Sequence, residues 1–344
     1  MITGSFTALI TPFQNNTIDY EGLDKLVDFQ IQNGISGILA VGTTGESPTL
    51  AWDEHNRVIE KIAQKTKGKC LCIAGTGSNN TSEALAATAR AAKEGVDAVL
   101  LVDPYYNGPS SLEIRREYIE PVARAFPELD IIPYIIPGRT GAQMFPEDLA
   151  LLFKTFKNVR TVKEATGNIE NMRKTRKCCG PEFSILSGDD GMTVQIMRDP
   201  DINAAGVISV VSNIAPKAVA EMVNRLNNNN PDGAQEINAA LDPLYNLITV
   251  KTKETTVYGE VEVRARNPLA IKTLMSILGL PSGACRQPLG RMTQKGLDYV
   301  LETAWKIQEK TPEIFKPAAE FFNLDFEARL NSAGRMDELT YSSY

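Results

Sequence analysis

A single histidine, His55, occurs in this chain of 344 residues, and its scarcity excludes several kinds of active site. A zinc ion held by three histidines is impossible, and a serine hydrolase would have to depend on this one imidazole. Disulfides are not indicated, because the cysteines are odd in number and two of them are adjacent. The five are Cys70, Cys72, Cys178, Cys179 and Cys285. Thiols in this arrangement are typical of a reducing compartment, so we expect a cytoplasmic protein.

Long apolar runs and an excess of positive charge are also missing. No stretch reaches the roughly 18 apolar residues that span a bilayer. The first five residues lack a basic region followed by an apolar run, so no secretory signal is visible. The formal net charge is −6. We therefore expect neither a membrane partner nor a nucleic-acid partner.

Short apolar runs rich in β-branched residues alternate with helical patterns up to residue 227. The predicted strands are 5–10, 37–41, 70–74, 97–102, 131–136, 159–163, 184–187 and 205–210. The predicted helices are 20–33, 51–67, 80–94, 111–126, 146–156, 168–178, 191–197 and 216–227. Eight such units predict an α/β fold, a (β/α)8 TIM barrel, over residues 1–227. A doubly wound sheet is less well supported, because the first turn, Thr11 to Gln14, has no glycine-rich fingerprint.

A second region, 228–344, follows the asparagine run before Pro231 and reads as a C-terminal helical appendage. Helical patterns cover 232–248, 268–279, 291–310 and 313–330. The alternation in 250–266, around Tyr258 and Gly259, indicates a β-hairpin insert. The last stretch, 331–344, is polar, and we expect it to be loosely attached.

Lys163 occupies the last position of the sixth predicted strand. Burial disfavours the charged form of lysine, and a neutral lysine amine is a nucleophile that attacks carbonyl groups to form Schiff bases. The alternative is a strand-end lysine whose ammonium reaches solvent, as most lysines do. Lys163 therefore suggests an imine-forming enzyme that acts on a keto acid.

Other strand ends carry polar groups, and a barrel places its active site there. The GTTGES segment at 42–47 offers hydroxyls and backbone N–H groups to a carboxylate, although it also suits a plain turn that caps the next helix. Thr43, Tyr106 and Tyr134 would form a chain of hydroxyls that moves a proton, unless the tyrosines only fill the core.

Two further strand ends carry charge. Arg139 lies in a glycine-flanked segment, where it would bind a carboxylate in two bonds or simply be a solvated loop charge. Gly188, Asp189 and Asp190 follow the seventh strand. We interpret the aspartate pair as helix capping and a tight turn rather than as a metal site.

Together these residues resemble the dihydrodipicolinate synthase / N-acetylneuraminate lyase family of pyruvate-dependent class I aldolases, over residues 3–300. The matching motifs follow one another in the family's order. They are GTTGES at 42–47, DPYYN at 103–107, Tyr134 with PGRTG at 137–141, VKEATGN at 162–168, SGDD at 187–190 and GVISV at 206–210.

The resemblance implies roles for particular residues. Lys163 would form the Schiff base, and Thr43, Tyr106 and Tyr134 would relay protons, with Tyr106 reaching into a neighbouring subunit's site. A dimer would then be the minimal active unit. The implied substrate-binding residues are Thr44, Gly188, Ile208 through its backbone carbonyl, and Arg139.

The implied activity is the condensation of pyruvate with L-aspartate-4-semialdehyde to 4-hydroxy-tetrahydrodipicolinate, on the diaminopimelate route to lysine. No metal or organic cofactor is expected, because the lysine amine itself becomes the electron sink. The resemblance implies a homotetramer. The 250–266 insert, the tail beyond 310 and Ile135, where many relatives have asparagine, depart from the family pattern.

The resemblance also implies a regulatory site that binds lysine at the dimer interface. Its residues would be Ser47, Pro48, Trp52, His55, Asn79, Glu83 and Tyr105. The alternative is that His55 and Glu83 are ordinary residues on helix surfaces.

Three other functions remain open from the sequence. One is a pyruvate-class aldolase acting on N-acetylneuraminate or a 2-keto-3-deoxy sugar acid. The second is a catalytically silent barrel that binds lysine or a keto acid, although Lys163 and both tyrosines are present. The third is a metal-dependent class II aldolase.

Overall fold

Eight parallel strands close into a barrel in the computed structural model, which describes residues 1–332 and 337–344. In chain order the strands are β1 (Gly4–Ala8), β2 (Phe13–Gln14), β3 (Thr17–Ile18), β4 (Gly37–Ala40), β5 (Leu71–Gly75), β6 (Ala98–Val102), β7 (Asp130–Ile135), β8 (Thr161–Glu164), β9 (Ser184–Ser187), β10 (Gly206–Ser209), β11 (Thr249–Thr256) and β12 (Gly259–Arg266). The barrel runs from β1 through β4 to β10 in sequence order, and β10 pairs with β1. The predicted (β/α)8 barrel is confirmed, and the doubly wound alternative is wrong.

Helices surround this barrel and continue beyond it. They are α1 (Tyr20–Gln32), α2 (Trp52–Thr66), α3 (Thr81–Lys93), α4 (Ser111–Glu113), α5 (Glu120–Ala125), α6 (Pro137–Thr140), α7 (Pro146–Thr155), α8 (Ile169–Cys179), α9 (Thr193–Arg198), α10 (Pro216–Asn227), α11 (Pro231–Tyr245), α12 (Leu269–Leu278), α13 (Gln294–Lys310), α14 (Lys316–Phe322) and α15 (Phe326–Ser332). A π-helical segment, Ile114–Ile119, joins α4 to α5. In residues 1–332 and 337–344, no helix is both long and apolar enough to cross a bilayer.

Alternation along the strands divides the core into two layers. Tyr134 belongs to the cluster inside the barrel, whereas its neighbour Ile135 belongs to the cluster between barrel and helices. Successive strand residues point to opposite faces, so this division follows from the period of two. Ile135, the departure from the family pattern, therefore packs toward the helices and not into the barrel.

The C-terminal region is helical, as predicted, and carries the predicted hairpin, β11 with β12. The predicted helix 313–330 is wrong as one unit, because Asn323 adopts φ 52° and ends α14. Helix α11 packs on α10, and the domain boundary at residue 228 stays a prediction.

The C-terminal stretch is more firmly attached than expected. Thr340 forms a parallel bridge with Met292, and the Tyr341 N–H donates to the Met292 carbonyl at 3.1 Å. These backbone bonds and the burial of Thr340 make the prediction of a loose tail wrong for this part. Residues 333–336 of the same prediction lie outside the described residues.

Candidate active site

Lys163 is buried near the C-terminal end of β8, only 5% exposed. It pairs in register with Tyr134 of β7, and its Nζ lies 4.2 Å from the centre of the Tyr134 ring. Burial lowers the pKa of the Lys163 amine to about 7, an effect that the Asp190 carboxylate opposes and the Arg139 guanidinium adds to. The alternative of a solvent-reaching ammonium is wrong, and a large share of the amine is neutral near pH 7.

Gly188 makes room for the lysine side chain at the end of β9. A Cβ at this position would lie 3.2 Å from the Lys163 Cε and 2.8 Å from the Ala165 Cβ. Both distances are tighter than ordinary van der Waals contact. Gly188 therefore supports Lys163 by its lack of a side chain, and its predicted contact with substrate stays a prediction.

Asp190 has a different role from the predicted one. Its carboxylate is buried and accepts a hydrogen bond from the Val210 N–H, at the end of β10, at 2.8 Å. Burial raises the pKa of Asp190 to about 6, while hydrogen bonds from Ser209 and Val210 and the charge of Lys163 oppose the shift. The interpretation as helix capping is wrong here, because the carboxylate accepts from Val210 at the end of the neighbouring strand β10. Its charge also acts on the Lys163 amine.

Tyr134 combines the two interpretations that the sequence left open. It packs in the barrel interior and also lines a neighbouring cavity. Burial raises the pKa of its hydroxyl to about 12, and interaction with Arg139 and the Thr43 side chain opposes that shift. The hydroxyl is therefore protonated at neutral pH and can donate a proton or hydrogen bond, with Thr43 beside it.

Tyr106 is not brought to this cluster within one chain. Its side chain is 92% exposed, and its backbone has φ 81°, a left-handed value that is rare for a residue other than glycine. The structure thus joins Lys163, Tyr134 and Thr43 and directs Tyr106 outward.

Thr44 and Arg139 are linked by Asn267, a residue that none of the sequence motifs includes. The Asn267 side-chain amide donates to the Thr44 hydroxyl at 3.0 Å, and the Asn267 carbonyl accepts from the Arg139 guanidinium at 3.2 Å. Arg139 is half-buried on α6, so the alternative of a solvated loop charge is wrong. The one feature of the sequence that marks Asn267 is its position directly after the hairpin insert.

The GTTGES segment is more than a capped turn, because a buried ion pair joins its Glu46 to Lys272 of α12. Glu46 accepts from the Lys272 amine at 2.6 Å, and both side chains are 1% exposed or less. Glu46 also accepts from the Arg286 N–H at 2.8 Å. Helix α12 therefore fixes the loop that carries Thr43 and Thr44.

A cavity of about 420 Å³ opens above this cluster. Thr43, Tyr134 and Arg139 line it, and the Lys163 Nζ lies 4.2 Å from the centre of the Tyr134 ring. Six of the seven predicted regulatory residues line the same cavity. These are Ser47, Pro48, Trp52, His55, Glu83 and Tyr105. The two predicted sites are thus parts of one continuous space.

His55 and Glu83 differ in burial. His55 is 2% exposed, stands 5.2 Å from Trp52 between ring centres, and burial lowers its pKa to about 4, so the surface alternative is wrong for it. Glu83 is exposed as a residue but accepts from the Ser78 hydroxyl at 2.5 Å. Asn79 accepts from the Tyr105 N–H at 3.0 Å.

Two candidates remain. Ile208 is fully buried in the barrel interior, and the role of its carbonyl stays a prediction. Within residues 1–332 and 337–344, no three His, Cys, Asp or Glu side chains are grouped to hold a metal ion.

Comparison with known proteins gives a consistent result. The model of the dihydrodipicolinate synthetase family matches residues 1–306. A 4-hydroxy-tetrahydrodipicolinate synthase of Methanococcus maripaludis is 41% identical over 291 residues, which cover 85% of this chain and 93% of that protein. The solved synthase of Methylacidiphilum fumariolicum SolV superposes with a TM-score of 0.83 at 35% identity, covering 92% of this chain and 99% of the other.

A third relative is a solved dihydrodipicolinate synthase of Cyanidioschyzon merolae with lysine bound. Its TM-score is 0.80 at 32% identity, covering 89% of this chain and 98% of the other. These matches extend over both the barrel and most of the C-terminal region. The chain belongs to the dihydrodipicolinate synthetase family.

Proposed function

We propose that this chain condenses pyruvate with L-aspartate-4-semialdehyde to give 4-hydroxy-tetrahydrodipicolinate, the activity for which its curated relatives are named. One observation carries the chemistry: the buried Lys163 amine has a pKa near 7 and lies against Tyr134. Relatives named 4-hydroxy-tetrahydrodipicolinate synthase favour this activity over that of a sugar-acid lyase, a silent binding barrel or a class II aldolase.

The neutral Lys163 amine attacks the pyruvate ketone, and water leaves to give a protonated imine. The imine accepts electrons when a methyl proton departs, and the resulting enamine carbon attacks the aldehyde of the second substrate. The amino group of that substrate then displaces Lys163 and closes the ring. Thr44 and Arg139, joined through Asn267, supply a hydroxyl and a guanidinium to the two carboxylates.

Protons move through Tyr134 and Thr43, whose side chains interact within one chain. The third hydroxyl, that of Tyr106, comes from a neighbouring subunit. Support for this step is the near-complete exposure of Tyr106 on a left-handed backbone. A dimer is the minimal active unit, and we expect a tetramer built from two such dimers. The free cysteines of the described residues favour the cytoplasm.

Lysine regulates the enzyme from the outer part of the cavity. Two observations support this: Glu83, His55 and Tyr134 line the same cavity, and the Cyanidioschyzon relative was solved with lysine bound. Glu83 would pair with a lysine amine. Replacing Glu83 with glutamine should weaken inhibition by lysine at least tenfold and leave uninhibited turnover intact. Unchanged inhibition in this variant would contradict the assignment.

Reduction with borohydride in the presence of pyruvate tests the central step. We expect the chain to gain the mass of one pyruvate, less one water and plus two hydrogens, on the peptide that contains Lys163. Lys163→Ala should take up nothing. Arg139→Ala should still form the adduct but lose condensation with aspartate semialdehyde. No adduct in the parent would overturn the mechanism, and full condensation by Arg139→Ala would overturn the substrate assignment.

A further inference from the structure

The hairpin insert is a two-stranded ribbon, and no third strand of the described part of the chain pairs with either outer edge. Strands β11 and β12 pair from Thr249 with Arg266 to Thr256 with Gly259. Val257 and Tyr258 at its tip are more than 90% exposed. An exposed strand edge is a template for pairing with another strand, so its side chains decide which partner it accepts.

The backbone groups of β12 alternate between β11 and the outer edge. The Asn267 N–H donates to the Ile248 carbonyl at 2.8 Å, which fixes this as a hydrogen-bonded pair. In an antiparallel ladder such pairs occur at every second residue. Residues 261, 263 and 265 therefore bond to β11, and residues 260, 262, 264 and 266 present their N–H and C=O groups at the outer edge.

The charges on that edge are ordered so that they complement themselves. Its four outward-bonding residues are Glu260, Glu262, Arg264 and Arg266. If two copies meet antiparallel about a two-fold axis at Val263, each of the four faces a residue of opposite charge. Glu260 lies opposite Arg266 of the second copy, and Glu262 lies opposite Arg264. The same register sets Val263 against Val263 on the other face. We propose that β12 is an interface between two copies of this chain, which join their ribbons into one four-stranded sheet.

The charges on the outer edge of β11 do not complement themselves. Its outward-bonding residues are Thr249, Lys251, Lys253 and Thr255. Any antiparallel pairing of this edge with itself sets lysine against lysine or against threonine, and no register gains an ion pair. Lysine on an exposed edge is a common means of preventing strand addition. The ribbon thus blocks one edge and leaves the other self-complementary.

Within one chain, the ribbon also lacks an acidic residue that the second copy would supply. Lys251 and Arg264 face each other directly, a like-charge pair that is unfavourable across strands. A single carboxylate serves both, because Glu262 lies 3.3 Å from Arg264 and 3.9 Å from Lys251. In the joined sheet, Arg264 gains Glu262 of the second copy and the first Glu262 is left to Lys251.

Cysteine pairing tests the register. We expect Val263→Cys to form a disulfide-linked pair under mild oxidation, because the two copies of position 263 meet at the axis. Val261→Cys is the matched control, since it lies opposite Ala265 and far from its own copy. The oxidised parent accounts for the native cysteines. The proposal is overturned if Val263→Cys links no better than Val261→Cys or the parent.

Charge reversal tests the complementarity in solution. Sedimentation should show half the parent's mass for Glu262→Arg and for Arg264→Glu, because each sets like charges opposite one another. The double variant Glu262→Arg/Arg264→Glu should regain the parent's mass. Circular dichroism and retained turnover would show that the variants fold. Parent mass in either single variant, or loss without recovery in the double variant, would overturn the proposal.

Discussion

At the scale of single residues, burial and two charges of opposite sign together set the pKa of the Lys163 amine. Asp190 raises the pKa of the amine and Arg139 lowers it, while burial accounts for the largest part of its descent to about 7. Buried Tyr134, protonated at neutral pH, completes the surroundings. The pKa of the Lys163 amine is therefore adjusted by neighbours at two other strand ends, those of β7 and β9.

The pH dependence of imine formation should report these two charges. Asp190→Asn removes the charge that stabilises the ammonium, so we expect the midpoint of pyruvate trapping by cyanoborohydride to move down by about one pH unit. Arg139→Ala should move it upward, because a repelling cation is lost. The parent's rate should rise with pH through about 7, as the neutral amine forms.

Asp189→Asn is the matched control for this experiment. Asp189 is the exposed neighbour of Asp190, and its charge acts on Asp190 and Tyr134 but not directly on Lys163. We expect its midpoint to equal the parent's. An upward shift in Asp190→Asn would contradict the assigned electrostatics.

The sequence predicted several of these residues but not all of them. Lys163, Tyr134 and Thr43 stand at strand ends, and a barrel brings strand ends together whatever the loops do. Asn267 approaches Thr44 across 223 residues of chain, and only the path of the C-terminal region places it there. The sequence places Asp190 in a local turn, since it does not show that the carboxylate reaches the end of the next strand.

At the scale of elements, strands and long helices follow from periodicity, whereas breaks within helices do not. Each barrel strand was predicted to within two residues of its observed bounds. The π-helical segment 114–119 and the break at Asn323 depend on local backbone geometry that an apolar pattern does not encode. The bridge from Thr340 to Met292 depends on packing between distant segments.

The contact between α12 and the GTTGES loop yields a stability prediction. Lys272→Met leaves the buried Glu46 carboxylate without its cation, so we expect the free energy of unfolding to fall by about 3–5 kcal/mol. The measurement is the midpoint and slope of urea unfolding, followed by circular dichroism.

The double variant Lys272→Met/Glu46→Gln separates loss of the ion pair from loss of packing. Replacing both charges removes the unpaired carboxylate, so most of the lost stability should return. A single variant as stable as the parent would show that the pair does not hold the loop.

At the scale of the whole molecule, the position of Tyr106 predicts that active sites are shared between subunits. Lys163→Ala and Tyr106→Phe chains should each be nearly inactive alone. When they are mixed in equal amounts and reassembled, hybrid dimers contain one complete site. We expect about a quarter of the parent's activity from random pairing.

Mixing Lys163→Ala with Tyr134→Phe provides the contrast. Tyr134 acts within the chain that supplies Lys163, so a hybrid dimer should still contain one Lys163-bearing site without the Tyr134 hydroxyl. No recovery is expected there. Equal recovery in both mixtures, or none in the first, would show that Tyr106 does not act across the interface.

The ribbon of β11 and β12 returns to the barrel at Asn267, beside the groups that would hold both substrates. Because its strands are paired residue for residue, lengthening only one strand would displace this re-entry point. Adding one residue to each strand would exchange the two faces of the ribbon beyond the added residues. The ribbon can therefore be lengthened or shortened during evolution in steps of two residues per strand. The need to keep Asn267 in contact with Thr44 and Arg139 thus limits the lengths that this surface hairpin can adopt.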